Sequence, residues 1–298
     1  MGKMMILSGT PTEEFYNMAR GMEQTECLEE AEVIIGEPAL EDLPKCKKLR
    51  WVQMTWAGAD RYLSGGFPPK VRLTTASGAF GETIAEHAIA MLFALCRRLP
   101  GYARQHNWKD LGTEKQVAGG TALIYGAGDI GSAIARRLKA LGVHTIGVCR
   151  NTEKSRPAFD LLTTLEKAEE YLPQADFVLC ALPHSKETAG YFSAARLALL
   201  LKGSVFINVG RGSLVDTDAL TELLQSGHLF GAGLDVTVPE PLPPDHPLWK
   251  LDNVIITPHV AGVSFGHLKD TEDRIWAICT ENLRRYRAGL PLLHEVIL

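Results

Sequence analysis

A glycine-rich turn between two strand-like segments limits most strongly how this chain can fold. An apolar segment at 122–125 precedes Gly126, Gly128 and Gly131, and an amphipathic helical pattern and a second apolar segment at 144–149 follow. In a dinucleotide-binding βαβ unit, these glycines allow a tight turn, the approach of a pyrophosphate to the backbone, and the packing of helix on strand. The pattern favours this unit over a purely structural turn, because strand, turn, helix and strand follow one another within about 30 residues.

The residue after the second strand bears on which dinucleotide is bound. NAD-preferring units usually carry an acidic residue about 20 residues beyond the turn, where it holds the ribose hydroxyls. This chain has Arg150 there, followed by Asn151 and Thr152, with Lys154 and Arg156 nearby. A guanidinium can bind a 2′-phosphate through charge-assisted hydrogen bonds, whereas a carboxylate would repel it. We expect NADP(H) to be preferred and NAD(H) to be possible; alternatively, Arg150 stacks on adenine or faces solvent.

Composition indicates a globular α/β protein of two domains. Hydrophobic residues make up 46% of 298 residues, and a chain of this length exceeds one ordinary core. The net charge of −4 and the lack of a basic block argue against a nucleic-acid partner. The longest strongly apolar run, 89–96, is too short to cross a bilayer, and the start, MGKMMILSG, lacks a signal-peptide pattern. Six cysteines without a C-x-x-C pair favour structural thiols in a cytoplasmic protein and argue against a metal site.

Strand and helix patterns alternate along most of the chain. The expected strands are 3–8, 31–36, 49–55, 71–75, 122–125, 144–149, 176–182, 205–209, 231–236 and 254–257, and the expected helices include 12–21, 82–98, 165–172 and 218–225. Hydrophobic strands that alternate with helices predict doubly wound parallel sheets. We expect a Rossmann-type dinucleotide-binding domain at 99–265, and a smaller flavodoxin-like α/β domain formed by 1–98 and 266–298.

Three functional side chains follow the ends of predicted strands: Arg211, Glu240 and His259. Ligands of open α/β sheets lie beyond the carboxyl ends of the strands, which is where these side chains would meet. Each of them alone is more often structural than catalytic. Together they suit the reduction of a 2-oxo acid: His259 as general acid, Glu240 to stabilise the imidazolium, and Arg211 to hold the carboxylate and polarise the carbonyl.

The motifs GAGDIG, NVGRG, DVTVPEP and TPHVAG resemble, in this order, those of the D-isomer-specific 2-hydroxyacid dehydrogenases. The resemblance covers nearly the whole chain and assigns catalysis to Arg211, Glu240 and His259. It implies two domains with a cleft between them, a homodimer built through the dinucleotide domains, and a substrate carboxylate bound by N–H groups around Ala57 and Gly58. The cofactor-binding set expected from the glycine motif and the resemblance together is Gly126, Gly128, Asp129, Ile130, Gly131, Arg150, Asn151, Thr152, Leu182, Pro183, Thr188, Val209, Gly210, Asp235 and Ala261, with Asp235 near the nicotinamide carboxamide.

Comparison with the subgroups of this family narrows the expected reaction. Formate dehydrogenases of this superfamily carry glutamine where Glu240 stands, so we do not expect formate as the substrate. Arg150 resembles the corresponding residue of the NADPH-preferring glyoxylate and hydroxypyruvate reductases. The segment AGVSFGHLKD after His259 lacks the arginine that several of those reductases present near the substrate. Trp56, beside the expected carboxylate site, either restricts the pocket or fills core space. We expect an NADPH-dependent reductase of small 2-oxo acids; the alternatives are an NAD-linked dehydrogenase and a dinucleotide-sensing protein like the corepressors that resemble this family.

Overall fold

The computed structural model describes residues 2–297, which form two compact units. Unit 1 contains the residues up to Phe80 and those from Val263 onward, and unit 2 contains Gly81–Gly262. The division at Gly81 lies before the expected boundary at 98/99, because the long helix that begins there packs against the sheet of unit 2. None of the helices within residues 2–297 is long and apolar enough to cross a membrane.

The helices and strands follow one another in the order expected of α/β units. In chain order they are β1 (Lys3–Ile6), α1 (Glu13–Met18), β2 (Glu23–Gln24), β3 (Ala31–Ile35), β4 (Trp51–Gln53), α2 (Asp60–Leu63), β5 (Arg72–Thr74), α3 (Gly81–Cys96), α4 (Leu99–Arg104), β6 (Thr121–Tyr125), α5 (Asp129–Ala140), β7 (His144–Val148), β8 (Leu161–Thr163), β9 (Phe177–Cys180), α6 (Ala194–Leu197), β10 (Val205–Asn208), α7 (Thr217–Gln225), β11 (Gly231–Leu234), β12 (Val254–Ile256) and α8 (Lys269–Arg287). Short 3₁₀ helices occupy Leu43–Lys45, Ala168–Gln174, Gly212–Leu214 and Pro247–Lys250.

Unit 1 is built on a five-stranded parallel sheet with the order β2-β1-β3-β4-β5. This is the flavodoxin-like order, in which the strand sequence reverses between β1 and β3. The core strands β3 and β4 are mostly apolar, and all of their residues except Glu32 are buried, as expected of a parallel sheet covered on both faces. Helix α8 packs on α1, where the rings of Phe15 and Trp276 meet edge to face with centroids 5.0 Å apart.

Unit 2 is built on a seven-stranded parallel sheet with the order β12-β11-β10-β9-β6-β7-β8. This is the doubly wound dinucleotide-binding order, extended by one strand, and it reverses between β6 and β9. Strands β9, β10 and β11 are buried along their whole length, and α3 and α5 pack together beside the sheet. The two parallel sheets confirm the predicted fold class, and the glycine turn follows β6 directly at the switch point.

Candidate active site

The three glycines after β6 have different surroundings. Gly126 adopts a φ of 103°, which favours glycine, and a Cβ there would lie 2.9 Å from the carbonyl oxygen of Ala181. A Cβ on Gly131 would overlap the carbonyl oxygen of Gly126, whereas a Cβ on Gly128 would have no protein atom within 4 Å. Helix α5 starts at Asp129 without a side-chain cap, so its first N–H groups are available to an anion. The surroundings of this turn fit a pyrophosphate.

The loop after β7 carries the residues expected to select the dinucleotide. Arg150 and Thr152 are exposed, and Asn151 Oδ1 accepts hydrogen bonds from two backbone N–H groups further along the loop, at 2.9 and 3.2 Å. Arg156 donates from Nε to the carbonyl oxygen of Ala127 at 3.0 Å and from Nη1 to that of Asn151 at 2.7 Å. Arg156 therefore ties this loop to the glycine turn, a role that its position in the sequence did not indicate.

The loops after β9 and β10 bring further predicted cofactor residues together. A Cβ on Gly210 would lie 2.7 Å from the carbonyl oxygen of Leu182, so the two loops touch through their backbones. Thr188 is buried, and its hydroxyl donates to the carbonyl oxygen of Pro183 at 2.9 Å. Val209 is buried beside Gly210. These residues form a packed pair of loops at the carboxyl ends of adjacent strands.

Arg211 follows β10 on a loop that Asn208 fixes. The Asn208 side chain accepts from the N–H of Gly210 at 3.1 Å and donates to the carbonyl oxygen of Arg211 at 3.0 Å. The guanidinium of Arg211 donates to the carbonyl oxygen of Gly210 at 2.8 Å. A Cβ on Gly212 would overlap the carbonyl oxygen of Thr237. Thr237 lies in the chain between the end of β11 and Glu240. Asn208 belongs to the NVGRG motif, but its position in the sequence did not indicate this role.

His259 and Glu240 form a direct pair. His259 Nδ1 lies 2.6 Å from Glu240 Oε1, and the two side chains are 50% and 43% exposed. A carboxylate only accepts hydrogen bonds, so Nδ1 carries the shared proton and Nε2 is the ring nitrogen that can exchange a proton with a ligand. His259 has a φ of 55°, in the left-handed region, and its N–H donates to the carbonyl oxygens of Asp235 at 2.8 Å and Thr257 at 3.0 Å.

Asp235 is the buried anchor of the turn that carries His259. Its carboxylate accepts from the Thr257 hydroxyl at 2.6 Å, the N–H of Val260 at 2.9 Å and the N–H of Ala261 at 3.0 Å. The side chain is only 2% exposed, and a buried carboxylate requires such donors. His87 Nε2, from α3, lies 3.0 Å from the Thr257 hydroxyl oxygen. The sequence does not indicate this contact, because His87 and Thr257 are 170 positions apart in the chain.

In unit 1, the loop after β4 contains Trp56, Ala57 and Gly58. The carboxylate of Glu37 accepts hydrogen bonds from the N–H of Thr55 at 2.7 Å and from the N–H of Trp56 at 3.0 Å. Glu37, whose role its position in the sequence did not indicate, thereby holds the start of this loop. Trp56 is 52% exposed, so it does not fill core space.

The six cysteines are free thiols, of which four are buried. Burial raises the pKa of Cys96 to about 11 and raises that of Cys180, at the end of β9, well above its ordinary value. Both side chains are therefore neutral thiols at physiological pH. Within residues 2–297, no three His, Cys, Asp or Glu side chains are grouped as a metal site would require.

Known proteins match this chain in sequence and in structure. The family model described as "D-isomer specific 2-hydroxyacid dehydrogenase, NAD binding domain" matches residues 89–261. A glyoxylate reductase from Korarchaeum cryptofilum is 34% identical over 231 residues, 74% of this chain and 67% of that protein. A D-isomer specific 2-hydroxyacid dehydrogenase family protein from Aeromonas salmonicida has a TM-score of 0.85 at 31% identity and 99% coverage of both chains. An NADPH-dependent glyoxylate/hydroxypyruvate reductase from Sinorhizobium meliloti, in complex with NADP and sulfate, has a TM-score of 0.83 at 27% identity, covering 99% of this chain and 98% of that one.

The chain belongs to the D-isomer specific 2-hydroxyacid dehydrogenase family, since the family model matches more than half of it. The protein is therefore an oxidoreductase of small 2-hydroxy and 2-oxo acids that works with a nicotinamide cofactor. This confirms the resemblance seen in the sequence motifs.

Proposed function

We propose that this protein reduces small 2-oxo acids to D-2-hydroxy acids with NADPH, with His259 as the general acid. The observation that carries the proposal is the 2.6 Å contact between His259 Nδ1 and Glu240 Oε1. It leaves Nε2 to protonate the carbonyl oxygen of the substrate, and the carboxylate of Glu240 compensates for the imidazolium charge before the transfer. Glyoxylate and hydroxypyruvate are the first candidate substrates.

The residues expected from the glycine motif and from the family resemblance would hold the reactants. When bound, the reduced nicotinamide supplies the hydride that the 2-oxo acid accepts at C2. The glycine turn and the start of α5 suit the pyrophosphate of the cofactor, and Asp235 Oδ2, which receives one hydrogen bond among residues 2–297, can accept another from the carboxamide. Arg211 would hold the substrate carboxylate and polarise the carbonyl, assisted by the N–H groups of Ala57 and Gly58.

A panel of 2-oxo acids assayed with NADPH and NADH tests the proposed function. We expect turnover of glyoxylate or hydroxypyruvate with NADPH, and a chiral product of D configuration where the substrate allows one. Binding of NADPH without turnover of any 2-oxo acid would instead favour a dinucleotide-sensing protein. Oxidation of D-2-hydroxy acids with NAD alone would favour the NAD-linked dehydrogenase.

We propose that Arg150 determines the preference for NADPH, because its exposed guanidinium lies on the loop after β7. Replacing Arg150 with glutamine should raise KM for NADPH about 10- to 100-fold, the value of one or two charge-assisted hydrogen bonds, and leave KM for NADH nearly unchanged. Steady-state kinetics with both cofactors measure this, with the exposed Lys167→Gln as the matched control. Equal changes for the two cofactors would contradict this role.

The acid role of His259 predicts opposite pH dependences for the two directions. Reduction requires a proton on Nε2 and oxidation requires its absence, so reduction should fade at high pH and oxidation at low pH. The measurement is kcat/KM of glyoxylate reduction and of glycolate oxidation across a pH series. Parallel trends in both directions would argue against His259 as the proton carrier.

We also propose a homodimer, as the likeness to the family implies. Trp108, in the segment after α4, is fully exposed, and a large exposed aromatic side chain suits a subunit contact. Light scattering should give twice the chain mass of 32.6 kDa. A monomeric mass would refute this part of the proposal.

A further inference from the structure

We infer that His87, a side chain outside the catalytic set, positions His259 through Thr257 and Asp235. This inference rests on the proposed role of His259 in the reaction. His87 lies on α3 and is one-quarter exposed, with a side-chain exposure of 24%. Its ring touches neither Glu240 nor the imidazole of His259 among the contacts of residues 2–297, so it would act only through the intervening residues.

The chemistry of the three groups fixes the direction of their hydrogen bonds. The Asp235 carboxylate can only accept, so the single hydroxyl proton of Thr257 points to Oδ1, 2.6 Å away. The Thr257 oxygen must then accept from His87 Nε2, which lies 3.0 Å from it. His87 Nε2 is 3.8 Å from Asp235 Oδ1, too far for a direct hydrogen bond, so the hydroxyl transmits the contact. The network therefore requires His87 to carry a proton on Nε2.

Asp235 connects the hydrogen bonds from His87 and Thr257 to the backbone of His259. Its carbonyl oxygen accepts the N–H of His259, and its carboxylate accepts the N–H groups of Val260 and Ala261. These three consecutive N–H groups hold the left-handed turn at His259, a conformation that costs energy for a residue with a side chain. The orientation of the catalytic imidazole therefore depends on where the Asp235 carboxylate is held.

Helix α3 gives the network a rigid base. Ala85, Ala88 and Met91, on the turns around His87, are buried, and α3 packs against β10, β11 and β12. Asp235 and Thr257 directly follow β11 and β12, so His87 links the helix to the ends of the two strands that carry the His259 turn. A small displacement of a catalytic group can lower the rate about 100-fold. Loss of the hydrogen bond between His87 and Thr257, which lies outside the catalytic set, should lower it by less.

Two substitutions of His87 distinguish the effect of its hydrogen-bond donor from the effect of its side-chain volume. His87→Leu removes the donor, whereas His87→Gln keeps an amide N–H near the position of Nε2. We expect His87→Leu to lower kcat for glyoxylate reduction about tenfold, with KM for glyoxylate changed by less than about twofold. His87→Gln should retain most of the wild-type kcat. His144→Gln, an exposed histidine at the amino end of β7, is the matched control and should behave as wild type.

A double-mutant cycle with His259→Ala tests whether the effect passes through His259. If it does, His87→Leu causes no further loss of kcat in the His259→Ala background. An equal tenfold loss in both backgrounds, or equal losses in the Leu and Gln variants, would overturn the inference and leave His87 a structural residue.

Nuclear magnetic resonance tests the inference without turnover, so that its failure is distinguishable from a failure of the proposed function. The short bond between His259 Nδ1 and Glu240 should give a downfield proton signal. His87→Leu should shift this signal and His87→Gln should not. An unchanged signal in His87→Leu would overturn the inference even if no 2-oxo acid is reduced.

Discussion

Replacing His259 with alanine should lower kcat for 2-oxo acid reduction by a factor of about 10² to 10⁴, the usual contribution of a general acid. The imidazole of His259 is about half exposed, and its Nδ1 is already hydrogen-bonded to Glu240. Nε2 is therefore the ring nitrogen placed to donate a proton to the substrate. The Kd of NADPH should change little, because the substitution removes only the imidazole and leaves in place the carboxylate of Asp235 and the backbone of Ala261, which are expected to hold the cofactor near this turn. Stopped-flow turnover and a fluorescence titration with NADPH measure the two quantities separately.

Glu240→Gln is the matched partner of this substitution. The amide oxygen of glutamine can still accept the hydrogen bond from Nδ1, but the negative charge of the Glu240 carboxylate is lost. The loss of kcat should therefore be smaller than in His259→Ala, on the order of tenfold. A near-normal kcat in His259→Ala would eliminate the general acid role. A Glu240→Gln variant less active than His259→Ala would mean that the carboxylate itself acts on the substrate.

The main parts of the candidate site could be predicted from the sequence because parallel strands end at one edge of a sheet. Arg211, Glu240 and His259 follow β10, β11 and β12, which are neighbours in the sheet, and the expected pair of Glu240 and His259 is present. The supporting contacts depend on the packing of helix against sheet. In the sequence His87 is one of several polar residues in the first half of α3, and only the packed structure brings its ring to Thr257.

The sequence predicted the strongly apolar strands well and the weak ones poorly. β2 has two residues, both exposed, and β8 buries only the last of its three, so neither shows the apolar run of a core strand. The helix expected at 165–172 is instead the 3₁₀ helix Ala168–Gln174, which contains Pro173. A proline cannot donate within an α-helix and its ring clashes with the preceding turn.

Replacing Gly131 with alanine should destabilise the protein and abolish NADPH binding together. The added Cβ would overlap the carbonyl oxygen of Gly126, and the displaced atom belongs to the backbone of the tight turn rather than to a flexible side chain. Overpacking of this kind costs about 1–3 kcal/mol. Relief of the overlap would open the turn between β6 and α5. Urea unfolding and a fluorescence titration with NADPH should therefore both show a large loss.

Gly128→Ala is the matched control, and it separates packing within the protein from the space that a pyrophosphate needs. The backbone of Gly128 is extended, with a φ of −87°, and an added methyl group would meet no protein atom within 4 Å. The free energy of unfolding should therefore stay unchanged or rise by about 0.4–1 kcal/mol, because alanine restricts the unfolded chain. The Kd of NADPH should nevertheless rise at least about tenfold, since the methyl group would fill the space where the pyrophosphate approaches the backbone. A stable Gly128→Ala protein that binds NADPH as tightly as wild type would show that the pyrophosphate does not lie over this glycine.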